Sequence, residues 1–333
     1  MSTTPREVPA RSTLAQVAER AKVSLKTASR ALGGEAYVSE ETRQRVLTAA
    51  TDLGYQRNSA ASLLASGRLA ISIGLITGDF ANPFYSALAA AIEDEVRPRT
   101  IHLSVANSRE SAEQERFLAQ DLADRQAQAL IVVSALQDHA AYSRLQSRGI
   151  AVVFADRAAV NINADSVVFD NREGGRLAAR HLLDAGHSRI ALIGDYEWLP
   201  TYRERKAGMA EVLDAAGVQW RDLIRNDAHE ALEARKLLSE LLELEDPPTA
   251  VVAGNNRSLL GLTQELAARK NQQAPAVLGF DDPEWAQVLG ITVVSGDVTE
   301  MGRAAARLAL LRMNDRSRPS EKVVIPMRLI KRD

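Results

Sequence analysis

The sequence predicts a chain of two parts, a small all-α helix-turn-helix unit and a larger α/β core with two Rossmann-like lobes. Residues 13–64 contain three short helical patterns followed by a weaker fourth one. From residue 70 onwards, short β-branched runs alternate with amphipathic helices, which is typical of parallel sheets covered on both faces. About ten such runs are many for one sheet, so two sheets are expected.

The first part divides into three short helices by its capping residues. Thr13 can cap the first helix because Gln16, three residues later, can reach back to the Thr13 N–H. Ser24 is a good N-cap for a second helix over 25–32. The third helix begins at Ser39 and ends at Gly54, which supplies a left-handed stop. Its buried face is expected to contain Val46, Leu47, Ala50 and Leu53.

Two short helices separated by a few residues form the helix-turn-helix shape, whose second helix can enter the major groove of DNA. The second helix exposes side chains suited to base edges and phosphates. These are Leu25, Lys26, Thr27, Ser29 and Arg30. Short amphipathic helices with no such partner are also common, and the pattern alone leaves that alternative open.

Charge is divided unevenly along the chain. Residues 1–68 contain ten Lys/Arg and six Asp/Glu, a net charge of +4, although the whole chain has a net charge of −2. Basic charge therefore coincides with the helix-turn-helix pattern, as neutralisation of DNA phosphates requires.

Composition and missing motifs exclude several classes of protein. No run approaches the roughly 20 apolar residues of a membrane span, and the first 12 residues do not resemble a signal peptide, so we expect a cytoplasmic protein. Zero cysteines exclude disulfides and thiol catalysis. There is no G-x-G-x-x-G after the first strand, no P-loop and no metal-ligand spacing. We therefore expect no enzyme activity, no cofactor and no metal ion.

The core pattern predicts strands that alternate with helices. The strands are expected at 71–76, 101–106, 130–133, 151–154, 190–193, 250–253, 276–280 and 291–294, with a strand-like stretch after residue 320. The helices are expected at 84–96, 112–125, 174–185, 202–216, 231–243, 257–270 and 300–314.

Polar side chains follow several of these strands, where ligands bind in open α/β sheets. Carboxylates, amides and an arginine near aromatic rings suit a polyhydroxylated ligand. They are found at Thr77–Asp79, Asn107, Asp156–Arg157, Asp195, Asn255–Asn256 and Asp281–Asp282. The alternative is that Asp and Asn simply populate the turns and cap the helices.

Seven segments carry a resemblance to a known family. The pattern V-A-x-x-A-x-V-S-x-x-T-x-S-R-x-L from Val17, the pattern VSxxTRxxVxxAAxxLGY from Val38, and Asn58 to Ala61 resemble the DNA-binding headpiece of the LacI/GalR family of bacterial transcription regulators. GLITGDFANPFY, FDNREGGRLAARHLLDAGHSRIALIG, ERKAGM and VLGFDD resemble landmarks of the family's core, which is similar to periplasmic binding proteins. The resemblance covers nearly the whole chain.

The resemblance implies a regulator, most simply a repressor, that binds a palindromic operator in double-stranded DNA as a homodimer. It implies a hinge helix near 58–66 whose leucine wedges into the minor groove. The DNA contacts it implies are Thr13, Ser24, Leu25, Lys26, Thr27, Ser29, Arg30, Asn58, Ala61 and Leu64. The contacts it implies with a small effector, in first place a sugar or sugar derivative, are Asn82, Phe84, Asp156, Arg205, Asn255 and Asp281.

The sequence departs from the family pattern at several positions. In the headpiece, Lys22 replaces a usual turn glycine, Ala28 replaces a valine, and Gln56–Arg57 replaces Arg-Pro. In the core, Ala228 stands where many relatives place an aromatic ring over the ligand. We expect Trp198 or Trp285 to supply an aromatic wall of the ligand site instead. Asn256 in place of an aspartate, Gly296 and the segment after Asp282 also differ.

The expected domains are a lead-in at 1–12, a helix-turn-helix domain at 13–57, a hinge at 58–68 and a core at 69–333. Within the core, one lobe is expected at 70–168 plus 298–325 and the other at 169–297 plus 326–333. Two alternatives stay open: a purine or nucleoside co-repressor in place of a sugar, and a solute-binding protein that does not bind DNA.

Overall fold

The structure is a computed structural model that describes residues 12–34, 37–55, 71–218, 220–269 and 274–332. The chain divides into two compact units, Met1–Ala70 and Ile71–Asp333, called here the headpiece and the core. The predicted hinge helix, with Asn58, Ala61 and Leu64, lies outside the described residues.

The described part of the headpiece contains three helices, α1 (Leu14–Arg20), α2 (Leu25–Leu32) and α3 (Glu40–Asp52). The predicted capping box is confirmed, because Thr13 Oγ1 accepts the Gln16 N–H while Gln16 Oε1 accepts the Thr13 N–H. Ser24 caps α2 as predicted. Lys22 adopts φ +53°, a left-handed conformation that glycine reaches more easily than other residues. This is the position at which the family pattern usually has a turn glycine.

The expected buried face of α3 is wrong at Leu47, which is 40% exposed. The residues of α3 that enter the headpiece core are Val46, Ala49 and Ala50, with Leu53 partly buried beside them. These positions recur at helical spacing in one narrow stripe, and Leu47 lies about 100° around the helix from Val46. The helix ends before Gly54 at φ +59°, as predicted.

The core contains two sheets of six strands each among the described residues. The first sheet defines the N-lobe and has the order β11-β5-β4-β3-β1-β2. Its strands are β1 (Ser72–Thr77), β2 (His102–Asn107), β3 (Ala129–Val132), β4 (Ala151–Ala155), β5 (Asp165–Phe169) and β11 (Lys322–Ile325). The second sheet defines the C-lobe, in the order β12-β10-β9-β8-β6-β7. Its strands are β6 (Ile190–Ile193), β7 (Ile224–Arg225), β8 (Ala250–Ala253), β9 (Ala276–Phe280), β10 (Val293–Gly296) and β12 (Met327–Ile330).

The helices of the core cover both faces of each sheet. They are α4 (Pro83–Val96), α5 (Ala112–Asp124), α6 (Ser143–Ser147), α7 (Asn171–Asp184), α8 (Pro200–Ala215), α9 (Ala231–Leu242), α10 (Asn256–Ala268), α11 (Glu284–Val288) and α12 (Val298–Asn314). None of the helices in the described ranges is long and apolar enough to span a membrane.

Two features of the sheets differ from expectation. The strand β12 pairs antiparallel with β10, so the C-lobe sheet is parallel in all but one pairing. The strands β5 and β7 were not among the predicted strands, and β5 begins with a charged residue. Asp165 is nevertheless fully buried, and Arg312 and Arg318 each donate to its carboxylate at 3.0 Å.

Three chain crossings connect the lobes and pack closely together. A Cβ atom on Gly296 would lie 2.3 Å from ring carbons of Phe169, and one on Gly174 would lie 2.5 Å from Met327 Sδ. Small residues therefore allow neighbouring crossings to approach. The crossings lie at 169–171, 296–298 and 325–327.

Candidate nucleic-acid interface and ligand cleft

The outer face of α2 is the candidate nucleic-acid interface. Ala28 and Ala31 turn into the headpiece core, which leaves the opposite face of this short helix open. Leu25 is 54% exposed, and Lys26 is also exposed. An exposed leucine beside a lysine at a helix N-terminus can contact a thymine methyl group and a base edge or phosphate.

Hydroxyl groups surround the start of α2. Ser24 Oγ accepts the Thr27 N–H at 3.1 Å, and the two hydroxyl oxygens lie 2.8 Å apart. Ser24 and Ser29 are exposed, whereas Thr27 and Arg30 are half-buried. Thr13 is exposed at the cap of α1. DNA contact by each of these residues stays a prediction.

The candidate ligand cleft lies where polar side chains follow the carboxyl ends of strands in both lobes. Asp156 follows β4 and Asp281 follows β9, the third strand in the order of each sheet. Both residues adopt φ +66°, a left-handed conformation that aspartate tolerates better than most residues. The two lobes thus place one aspartate each at equivalent positions.

The Asp156 carboxylate is an open acceptor. It lies 3.7 Å from Arg157 Nε and accepts no hydrogen bond from any side chain or backbone group in the described ranges. Burial raises the pKa of Asp156 to about 6, although the guanidinium groups of Arg157 and Arg205 favour its charged form. A buried carboxylate without a donor favours a ligand that supplies one.

Arg157 and Glu110 form the N-lobe wall of the cleft. The guanidinium donates to both carboxylate oxygens of Glu110 at 2.7 Å and to the Ser134 carbonyl at 2.6 Å. Tyr85 Oη lies 3.4 Å from both Arg157 Nη2 and Glu110 Oε1. The sequence analysis did not identify Glu110, because nothing in the loop after β2 indicates that this residue pairs with Arg157, 47 residues later in the chain.

Arg205 forms part of the C-lobe wall. Its Nε donates to Asn171 Oδ1 and its Nη1 donates to the Gly254 carbonyl, both at 2.8 Å. Its Nη2 lies 3.5 Å from Asp281 Oδ1, and the guanidinium carbon lies 4.5 Å from the Phe280 ring centroid. Each guanidinium nitrogen therefore already contacts a protein acceptor.

Asn255 joins a second cluster in the C-lobe. It caps α10 by accepting the Ser258 N–H at 2.7 Å, and its Nδ2 donates to Asp195 Oδ2 at 2.6 Å. Asp195 Oδ1 lies 2.7 Å from His229 Nδ1. Burial raises the pKa of Asp195, but the hydrogen bonds and charge of its neighbours outweigh it and lower that pKa overall.

His229 is the second residue that sequence reasoning missed. Its ring is stacked on Tyr196 at 4.8 Å with 12° between the planes, and Tyr196 is stacked on Trp198 at 6.1 Å with 13°. Ala228, the departure noted above, is fully buried. That departure was the signal, because the next residue supplies the missing ring.

Of the two tryptophans expected to restore the wall, Trp198 faces the cleft and Trp285 does not. The Arg157 guanidinium carbon lies 5.6 Å from the Trp198 ring centroid, across the gap between the lobes. Trp285 packs instead against the buried core of the C-lobe, so the expectation for Trp285 is wrong. It belongs to α11, where its neighbour Ala286 is buried in the same cluster.

Asn82 and Phe84 begin α4 at the edge of the cleft. Asn82 Oδ1 accepts the Phe84 N–H at 2.9 Å and also accepts Asn256 Nδ2 of the other lobe at 2.8 Å. Phe84 is buried and packs edge-on against Tyr85 and Phe169. The structure thus brings the six predicted effector residues around one cleft, while their binding of an effector stays a prediction.

Comparison with known proteins matches both units. A family model described as bacterial regulatory proteins, lacI family, matches residues 13–58, and a periplasmic binding protein-like domain matches residues 179–333. The ribose operon repressor of Bacillus subtilis (strain 168) is 31% identical over 303 residues, which cover 90% of each chain. The regulator MalR of Streptomyces coelicolor is 30% identical over 335 residues, 96% of this chain and 95% of the relative.

Solved structures agree with these relatives. The Lac repressor bound to ONPG in the repressed state has a TM-score of 0.81 and 25% identity, covering 97% of this chain and 99% of that chain. The complex of the transcriptional regulator CelR with cellobiose has a TM-score of 0.71 and 27% identity, again with coverage of 97% and 99%.

Proposed function

The chain belongs to the lacI family of bacterial regulatory proteins, and we propose that a small hydroxyl-rich effector controls its binding to a palindromic operator. A homodimer binds the operator, because two half-sites require two copies of α2. The effector is a sugar or sugar derivative. The observation that carries this proposal is the open carboxylate of Asp156 together with the stacked rings between the two lobes.

The balance of charge in the cleft favours an uncharged effector. The described carboxylates at its centre are Glu110, Asp156, Asp195 and Asp281, against two arginines and one histidine. Both guanidinium groups donate to protein acceptors, and of their nitrogens only the buried Nε of Arg157 has no hydrogen-bond partner among the described residues. Sugar hydroxyls can donate to carboxylates while a sugar face stacks on a ring.

The crossings between the lobes supply a route for control. An effector that contacts Asp156 and Arg205 together favours one relative position of the lobes. Because the three crossings are closely packed, a change in the relative position of the lobes also moves the start of the core at Ile71, directly before β1. The coupling between effector and operator is reciprocal and typically about 1–3 kcal/mol.

The test has two steps that use the full-length chain. Selection from a randomised duplex library at low salt identifies the operator, and sedimentation of the complex gives its stoichiometry. We expect a palindrome bound by two chains. Failure to enrich any palindrome, with and without the compounds below, would overturn the DNA-binding proposal.

The second step is a thermal-shift screen with D-ribose, maltose, cellobiose, D-fructose, fructose 1-phosphate and hypoxanthine. A compound at 100 times its dissociation constant adds about 2.7 kcal/mol to the free energy of unfolding. We expect a neutral sugar to stabilise the core and fructose 1-phosphate to bind more weakly than its unphosphorylated parent. Stabilisation by hypoxanthine alone would favour the purine co-repressor instead.

A further inference from the structure

The ring of His229 is held on two sides within the C-lobe wall. Its face is stacked on Tyr196, and its Nδ1 lies 2.7 Å from Asp195 Oδ1. The side chain is 12% exposed, so it is largely removed from solvent. The stacking contact fixes the plane of the ring, and the contact with Asp195 fixes the orientation of the ring within that plane.

The hydrogen bonds around Asp195 determine which nitrogen of the His229 ring keeps its proton and which one can switch between donor and acceptor. Asp195 also accepts the Tyr196 N–H at 2.8 Å and Asn255 Nδ2 at 2.6 Å, which favours the ionised carboxylate. An ionised carboxylate only accepts, so the proton of the ring stays on Nδ1. The remaining nitrogen, Nε2, is an acceptor in the neutral ring and a donor in the imidazolium.

We propose that His229 and Asp195 form a charge-assisted donor pair that recognises an oxygen of the effector through His229 Nε2. The inference rests on the proposed function and deepens it. It assigns a residue that binds an effector oxygen to the C-lobe wall, where Ala228 itself carries no aromatic ring. The stack faces the N-lobe, since Arg157 lies over Trp198 at its outer end. The N-lobe carboxylate of Glu110 also acts on the charge of His229, so we place the effector at the Nε2 edge of the ring, on the side of the cleft.

The charges that face His229 give the direction of its pH dependence. Burial disfavours the imidazolium, but the hydrogen bond and charge of Asp195 prevail and raise the pKa of His229 above its usual value. The carboxylates of Glu110 and Glu230 act in the same direction, and Arg257 is paired with Glu230. The donor at Nε2 is thus present at low pH and is lost as pH rises through this elevated pKa.

The experiment measures sugar affinity by calorimetry on the full-length chain from pH 5.5 to 8.5, as a planned range around the ordinary histidine pKa of about 6.5. The probes are D-ribose, maltose and cellobiose. His229→Phe keeps a ring on Tyr196 and removes the donor, and His229→Gln keeps a neutral donor. His187→Phe is the matched control, because His187 contacts Thr249 at the opposite end of the C-lobe strands.

We expect His229→Phe to weaken binding of the best probe by about 10- to 100-fold at the low end of the range. The loss should shrink as pH rises, and Asp195→Asn should move the transition to lower pH. Asp156 also titrates near pH 6, so the wild-type profile alone is not diagnostic. The difference between wild type and His229→Phe isolates the contribution of His229.

Two results would overturn the inference and are distinguishable. If a probe binds wild type but His229→Phe and His187→Phe give the same pH profile, the donor role is wrong while the sugar cleft stands. If none of the three sugars binds and none shifts the nitrogen resonances of isotope-labelled His229, both the inference and the sugar proposal fail. Thermal melting of each variant verifies that it is folded.

Discussion

Replacing Glu110 with glutamine tests whether the buried Arg157–Glu110 pair holds the N-lobe wall of the cleft. The two side chains are 4% and 7% exposed, and two hydrogen bonds of 2.7 Å join them. Glutamine keeps the size but replaces one acceptor oxygen with an NH₂ group that faces a guanidinium donor. A hydrogen bond to a charged group contributes about 1.5–3 kcal/mol, and breaking a buried pair from one side costs about 3–5 kcal/mol.

We therefore expect Glu110→Gln to lower the free energy of unfolding of the core by about 3–5 kcal/mol, measured by urea unfolding followed by circular dichroism. Glu93→Gln is the matched control, since Glu93 also accepts two hydrogen bonds from one arginine, Arg97, but both residues are exposed. That control should change stability very little, because water solvates either partner alone.

A double substitution of Glu110 and Arg157 by methionine separates pairing from packing. It should recover part of the loss, because neither member of the pair is left buried without the other, although Asp156 loses the nearby charge of Arg157. The reasoning would be refuted if Glu110→Gln cost no more than Glu93→Gln, or if the double variant were less stable than the single one.

Three further predictions concern other parts of the chain. Lys26→Ala should weaken specific operator binding by about 1–3 kcal/mol if Lys26 pairs with a base. A gel shift measures the affinity, and Lys322→Ala is the charge-matched control. An unchanged affinity of the Lys26→Ala variant would argue against the contact. Asp156→Asn should stabilise the apo core at pH 7 and remove a pH dependence seen in the wild type. The raised pKa means that Asp156 contributes stability below its ordinary pKa of 3.8, and this is lost as pH rises through about 6. Equal melting curves of wild type and variant at pH 4.5 and 7 would contradict this. Gly296→Ala should lower stability by about 1–3 kcal/mol because its Cβ would overlap the Phe169 ring, and an unchanged thermal midpoint would show that the crossings can separate at no cost.

The headpiece shows what local sequence can decide. The caps at Thr13 and Ser24 and the stop at Gly54 were all predicted and are confirmed. Each depends on hydrogen bonds or backbone angles within four residues, so neighbouring residues contain the necessary information. The one error, at Leu47, concerned which side of a helix faces its neighbours.

The core shows where local information ends. Nothing near Asp165 indicates that it can open a buried strand, because its partners Arg312 and Arg318 come about 150 residues later. Trp198 and Trp285 were equivalent candidates in the sequence, and only the packing of Trp285 against the buried core of the C-lobe separated them.

By itself the sequence determined most of the helices and strands, the two-part architecture and the family, because these follow from short-range periodicity, capping and motifs. The short helices α6 and α11 were not predicted. Only the tertiary structure decided that Glu110 pairs with Arg157 and that Asp195 orients His229. Those pairs join residues 47 and 34 positions apart. Their charges are tolerated inside the protein only because the folded lobes bring each one against its partner and exclude the water that would otherwise solvate it.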